Sequence, residues 1–244
     1  MAPGTGDAGL VCAAMPRHIV ACGGGSWAAD GRGGPLEDYI LGLVARERAR
    51  VCLIPTAGGD SDRDIARFYE SFPADVCRPS HLALFRPHPE PARERLARQD
   101  VVYVSGGSSA NLAAVWAVHG VGPPLREAWE RGVVMAGVSA GAICWFASGL
   151  TNSLGSGFAP IAGMALAPGG FCPHADSDPG RLLALRDLVE RGRMPGTLAV
   201  DDDAAVHLAD GAPPRLVAGA PGRGARLIGP RGVDERLEPL RLAS

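Results

Sequence analysis

Four short apolar runs constrain this chain more than any other feature: residues 17–22 (RHIVAC), 51–55 (VCLIP), 101–104 (VVYV) and 133–138 (VVMAGV). Each has the length of a strand. Each is apolar at successive positions rather than at alternate ones, which is the pattern of a strand buried on both faces. Small-residue turns follow the first three, namely Gly23-Gly24-Gly25, Thr56-Ala57-Gly58-Gly59 and Ser105-Gly106-Gly107-Ser108-Ser109. Between the runs lie segments with helical spacing, at 36–46, 60–72, 91–98, from the Ser109 turn through Ala117, and 124–131. Asp60 or Ser61 supplies an N-cap for the second of these. Strands and helices that alternate in this way predict a three-layer α/β/α sandwich around a mostly parallel central sheet. After Gly149 the spacing predicts a Gly-rich loop to Phe171 and a helix over 179–191. Four short strands (LAVDD, AVHL, RLVAG, ARLIG) then form an antiparallel C-terminal extension of the same sheet. The expected organisation is a flexible leader at 1–16 and a single α/β hydrolytic domain at 17–244.

Composition removes several function classes. With 244 residues and 46% hydrophobic content the chain can bury a sizeable core. A charged fraction of 20% and a net charge of -2 argue against nucleic acid as a partner. All 24 basic residues are arginine. The absence of lysine excludes a Schiff-base cofactor, a phosphate-loop lysine, a Ser-Lys dyad and a lysine nucleophile. The six cysteines (Cys12, Cys22, Cys52, Cys77, Cys144, Cys172) form no C-x-x-C pair and sit mostly in apolar runs, so buried free thiols are expected. Residues 1–15 carry Asp7 and no basic stretch, unlike a signal peptide, and no run of about 20 apolar residues exists to span a membrane. A cytoplasmic protein with no metal and no cofactor is expected.

The chemistry centres on Gly137-Val138-Ser139-Ala140-Gly141, directly after the fourth apolar run and before a segment (AGAICWF, 140–146) able to start a helix. A serine on a tight strand-to-helix turn has its hydroxyl pushed outward, and flanking glycines let backbone pass close by. The nucleophile needs a base. His18 lies in the first strand, His81 and His88 are in proline-flanked loops, and His119 ends a helix. His174, in Phe-Cys-Pro-His-Ala-Asp before a helix, has the rigid loop setting that suits a base. His207 lies within an apolar alternation, but would complete the order serine, acid, histidine of the α/β-hydrolases. The acid falls in Asp201-Asp202-Asp203, just past a strand. For the oxyanion, the N–H of Ala140 and that of Gly106 or Gly107 are the candidate donors.

Five segments then resemble one family in order and spacing: Val-Ser-Gly-Gly-Ser-Ser (104–109), Gly-Val-Ser-Ala-Gly-Ala (137–142), Cys-Trp-Phe (144–146), Phe-Cys-Pro-His (171–174) and Val-Asp-Asp-Asp-Ala-Ala (200–205). They are similar to peptidase E, the aspartyl dipeptidases, over about residues 17–209. The resemblance implies a class I glutamine amidotransferase-like (flavodoxin-like) sandwich in which serine replaces the amidotransferase cysteine. It implies Ser139 as nucleophile, His174 as general base and Asp202 as the orienting acid. It also implies Arg181 as the residue that grips the side chain of an N-terminal aspartate in a dipeptide. The chain departs from the family where Ser153 follows Thr151-Asn152, a place for an acid in some members, and where Ser108-Ser109 replace Asn-Thr. The expected partner is a short peptide substrate, with the chain a monomer or homodimer. The alternatives are a cyanophycinase-like peptidase acting on a branched Asp-Arg polymer, and a catalytically silent domain that binds a small ligand.

Overall fold

In the computed structural model, residues 16–25, 33–87 and 90–240 are described. The expected leader lies outside them apart from Pro16, and so do Cys12 and His88. In chain order the first half gives β1 (His18–Cys22), α1 (Pro35–Gly42), β2 (Arg50–Ile54), α2 (Asp62–Ser71), β3 (Arg78–His81), α3 (Ala92–Ala97), β4 (Val101–Val104), α4 (Ser109–His119), α5 (Gly122–Glu130) and β5 (Val134–Val138). The second half gives α6 (Ala140–Ile143), β6 (Phe146–Thr151), β7 (Ala159–Ala162), β8 (Ala167–Cys172), α7 (Pro179–Glu190), β9 (Thr197–Val200), β10 (Ala204–Ala209), β11 (Arg215–Ala218), β12 (Ala225–Ile228) and β13 (Asp234–Arg236).

The continuous apolar runs do what their pattern demands. In β2, Cys52 and Ile54 join one core cluster while Val51 and Leu53 join another, and in β4 Val102 and Val104 separate from Val101 and Tyr103 in the same way. Both faces of the sheet are therefore covered. Leu36 and Ile40 of α1 and Phe68 of α2 close one face. Leu112 and Trp116 of α4, with Leu125 and Trp129 of α5, close the other. The sheet has seven strands in the order β11-β10-β1-β5-β4-β2-β3. β1, β5, β4, β2 and β3 run parallel, and β10 and β11 add antiparallel at one edge. Ser61 is the N-cap of α2, its hydroxyl accepting from the Asp64 N–H at 3.4 Å. Among the described residues no helix is long and apolar enough to cross a membrane.

The second half departs from expectation. Only β10 and β11 extend the first sheet. The segments expected as a Gly-rich loop and as further extension strands instead build a second sheet of six strands, β13-β12-β9-β8-β6-β7. The glycines misled because they are packing residues here. A Cβ on Gly149 would stand 2.4 Å from the Ile143 Cγ2, and one on Gly170 would stand 2.3 Å from the Thr197 Oγ1. They let β6 and β8 lie tightly against α6 and β9. Phe146 and Phe171 stack with ring centroids 5.0 Å apart and bury this sheet's inner face against the main core. Leu185 and Val189 of α7 cover the outer face. The expected helix at 140–146 is also shorter: α6 stops at Ile143, and Phe146 already begins β6. β3, too polar (RPSH) to be read as a strand, forms the far edge of the first sheet.

His207 is accounted for by this framework. On β10 it is buried, its Nδ1 2.7 Å from the Tyr39 hydroxyl and its Nε2 2.9 Å from the His18 Nδ1. Burial, then the neighbouring His18, then Arg215 push its pKa down to about 4. The unfolded value is about 6.5, so the unfolded chain binds the extra proton between these limits. The stabilisation is complete above about pH 6.5 and is lost as the pH falls toward about 4. The unfolding free energy from urea titrations should therefore decline across that window, by about 3 kcal/mol. In His207→Gln most of that slope should vanish; an unchanged slope would assign it to other groups.

Candidate active site

The C-terminal ends of β1, β5, β8 and β9 converge, and three side chains meet there. Ser139 follows β5 with φ 55° and ψ -113°. A non-glycine residue in this conformation is strained by an amount on the order of 1–3 kcal/mol. Neighbouring bonds hold it there: its N–H donates to the Cys22 carbonyl at 3.0 Å, and its own carbonyl accepts from the Ala142 and Ile143 N–H groups at 3.0 Å. The two glycines of the motif are required by space. A Cβ on Gly137 would lie 2.3 Å from the Gly141 carbonyl oxygen, and a Cβ on Gly141 would lie 2.1 Å from that of Val104. Because α6 has only four residues, individual N–H groups rather than a long helix dipole are what the turn offers.

The structure brings Ser139, His174 and Asp202 together. His174, on the loop after β8, places its Nε2 2.8 Å from the Ser139 Oγ. Its Nδ1 lies 2.6 Å from the Asp202 Oδ1. Of the three adjacent aspartates, only Asp202 faces the imidazole. Asp201 turns away to accept from the Gly224 N–H at 2.9 Å, and Asp203 lies 3.8 Å from Arg223. His207 is placed elsewhere, on β10 with Tyr39 and His18.

Gly24 is a part of the site that sequence reading missed. A Cβ there would stand 1.8 Å from the Asp202 Oδ1 and 2.5 Å from the His174 Nδ1. The backbone after β1 thus lies flush against the acid–imidazole pair. The available signal was position: the glycines follow a strand at the same sheet edge as the serine turn.

The loop after β4 abuts Ser139 from the other side, since a Cβ on Gly106 would be 3.5 Å from that of Ser139. Gly107 has φ +137°, and any Cβ on it would collide with the Ala57 carbonyl oxygen at 2.2 Å. The N–H groups of Gly106, Gly107 and Ala140 have no hydrogen-bond acceptor among the described residues.

Beside Ser139 and His174 lies a cavity of about 270 Å³, also lined by Gly107, Ser109, Leu150 and Arg181. Arg181 is not an exposed helix arginine; only 5% of it is accessible. Its guanidinium lies 4.6 Å over the Phe158 ring, and its Nη1 donates to the Leu150 carbonyl at 3.5 Å. Its Nε has no partner, and no carboxylate pairs with it among the described residues. Burial pushes the nearby Cys172 thiol up to about 12, against the pull of this cation. Ser153 accepts from the Ala110 N–H at 3.1 Å and bonds Thr151 at 2.8 Å, which ties its loop to the start of α4. Ser108 is the N-cap of α4, and Ser109 lies within 3.3 Å of Thr151. A larger cavity of about 460 Å³ between α4, α6 and the end of β7 shares Ser109 and Ile143 with the first but is lined by no charged side chain. The smaller one holds the groups capable of chemistry.

The model of peptidase family S51 matches residues 19–213. The chain is 41% identical over 191 residues to the uncharacterized peptidase YgaJ of Bacillus subtilis (strain 168), a match covering 78% of this chain and 83% of that protein. The crystal structure of a peptidase from an acI-B1 Actinobacterium shares the fold with a TM-score of 0.71 at 18% identity, over 95% of this chain and 98% of the other. A protein of Listeria monocytogenes EGD-e, named as a candidate peptidase E, gives a TM-score of 0.62 at 13% identity, over 84% and 100%. By its sequence match along most of its length, the chain belongs to peptidase family S51.

Proposed function

We propose that the protein is a serine peptidase that hydrolyses short peptides through an acyl-enzyme on Ser139. The observation that carries this reading is the unbroken chain from the Ser139 Oγ to the His174 Nε2 at 2.8 Å and from the His174 Nδ1 to the Asp202 Oδ1 at 2.6 Å. In this mechanism His174 takes the hydroxyl proton as the serine oxygen attacks the scissile carbonyl. Asp202 holds the ring's orientation and stabilises the imidazolium. The N–H groups of Ala140 and of Gly106 or Gly107 receive the developing oxyanion. His174 then returns the proton to the departing amine, and water releases the acyl group by the same route. Both sheets supply catalytic groups, so we treat the described residues from 17 onward as one hydrolytic domain.

The substrate reading rests on Arg181. A buried guanidinium without a carboxylate is costly unless a ligand supplies one. The side chain of an aspartate entering a cavity of about 270 Å³ beside Ser139 would do so, in the fork geometry that suits carboxylates. Pockets for larger ligands run from roughly 300 to 1,000 Å³. The small size favours a dipeptide with N-terminal aspartate over the branched polymer of a cyanophycinase-like enzyme, and the aligned triad disfavours a silent binding domain.

A fluorophosphonate probe should label the wild-type chain at Ser139, and Ser139→Ala should abolish labelling and lower turnover by at least roughly 10³-fold. Labelling that persists in the variant would overturn the nucleophile. On a dipeptide panel, Asp-Leu should be cleaved faster than Ala-Leu. Arg181→Ala should reduce that preference roughly 10- to 100-fold, the worth of hydrogen bonds to a charged group, while labelling stays intact. Equal wild-type rates on both dipeptides would remove the aspartyl preference and leave the hydrolase standing.

A further inference from the structure

The mechanism uses one aspartate of the Asp201-Asp202-Asp203 run, and the surroundings of the other two point to a further role. Asp202 sits in the turn between β9 and β10, and nothing in a turn by itself aims a carboxylate. Its main chain is held by a carboxylate from another loop: the Asp202 N–H donates to the Asp176 Oδ1 at 2.8 Å. Asp176 stands two residues after His174. One side chain thus ties the loop that carries the imidazole to the loop that carries its acid.

Asp176 is in turn held by an arginine. Its Oδ2 accepts from the Arg223 Nη1, and the Arg223 Nη2 lies 3.8 Å from the Asp203 Oδ2. Arg223 belongs to the loop between β11 and β12, whose next residue, Gly224, exchanges two bonds with Asp201. The Asp201 N–H donates to the Gly224 carbonyl at 3.0 Å, and the Gly224 N–H donates to the Asp201 Oδ2 at 2.9 Å. This loop therefore engages Asp201 directly, Asp203 through Arg223, and Asp202 through Arg223 and Asp176. Four carboxylates (Asp176, Asp201, Asp202 and Asp203) lie on the two loops that carry the imidazole and its acid, and Arg223 reaches two of them, Asp176 and Asp203. Asp201 reports the crowding. Burial raises its pKa most, the Gly224 N–H lowers it, Asp176 raises it, and Arg223 and Arg226 lower it.

We propose that Asp176 and Arg223 form a positioning clamp that sets the direction of Asp202 toward His174. The proposal rests on the triad reading above. Its place in the fold, not its strength, separates it from an ordinary surface ion pair. The Arg223 and Asp176 side chains remain 37% and 27% exposed, where such pairs contribute roughly 0–1 kcal/mol to stability. Yet the acceptor oxygen of Asp176 sits on the backbone of the very residue that orients the imidazole. A small shift there redirects the 2.6 Å contact between Asp202 and His174. The pair should thus matter little for folding and considerably for the reactivity of Ser139.

The test measures the rate constant for fluorophosphonate labelling of Ser139, which depends on the triad and not on any substrate preference. The full-length chain is used in each case. Asp176→Ala should label at least tenfold more slowly than wild type. Arg223→Gln should label three- to tenfold more slowly, and Arg223→Lys should recover most of the loss. The double variant Asp176→Ala/Arg223→Gln should be no slower than Asp176→Ala alone, because both changes break one chain of contacts. Urea midpoints of the Arg223 variants should match wild type. The downfield proton resonance of the His174 Nδ1–H should weaken in parallel with the rate. Labelling of Asp176→Ala and Arg223→Gln within twofold of wild type, with the resonance intact, would overturn the clamp and leave the triad standing. Absence of Ser139-dependent labelling in the wild type would overturn the triad reading itself. Should Asp176→Ala not fold, the Arg223 series decides alone.

Discussion

The site depends on one junction, where the backbone after β1 joins both sheets. The Gly23 N–H donates to the Ala204 carbonyl at 2.9 Å, and the Gly23 carbonyl accepts from the His174 N–H at 3.3 Å. The Gly24 carbonyl accepts from the Asp203 N–H at 3.0 Å. A two-glycine stretch at the end of a first-sheet strand therefore fixes the loops that carry the second sheet's histidine and aspartate. Ser139 is held by the same strand, through the carbonyl of Cys22. All three side chains take their position from β1, and the Gly24 position leaves no room for a side chain between them.

Conformational strain is concentrated at this place. Ser139, His174 and Asp203 all have φ of 55° without being glycine. Such residues persist only where surrounding bonds over-determine them. Here the surrounding bonds are the pairings of β1 with β5 and β10, deep in a sheet whose central strands are inaccessible to water. The rigid part of the molecule thus holds the reactive part in a shape it would not adopt alone. Arg181 makes a comparable demand electrostatically. Its charge is kept beneath Phe158 and beside the Leu150 carbonyl.

The legibility of the sequence follows from these physical differences. β1, β2, β4 and β5 were readable because burial on both faces leaves an uninterrupted apolar signature. The second sheet was not, because FASGLT and APGGFC place glycine where backbones must touch, and glycine by itself signals a turn. Ser139 announced itself through the two glycines that its turn needs. His174 followed from its proline-fixed loop, whereas Asp202 could be chosen among three neighbours only through family resemblance until its contact with the ring was seen. Gly24, Phe158 and Asp176 escaped notice. Gly24 and Asp202 are 178 positions apart, and Asp176 and Arg223 are 47 apart. Chain spacing carries no trace of such meetings.

The division of the reactive groups between two sheets has a consequence for biosynthesis. Ser139 lies at the end of β5 in one sheet, and His174 and Asp202, its partners in the proposed triad, lie at the ends of β8 and β9 in the other. A ribosome that has released the chain only as far as α7 has delivered the hydroxyl and the imidazole without the acid. It has also not delivered β10, the neighbour of β1 that anchors Gly23. With Ser139, His174 and Asp202 acting as the proposed triad, the polypeptide at that stage lacks the carboxylate that orients the imidazole.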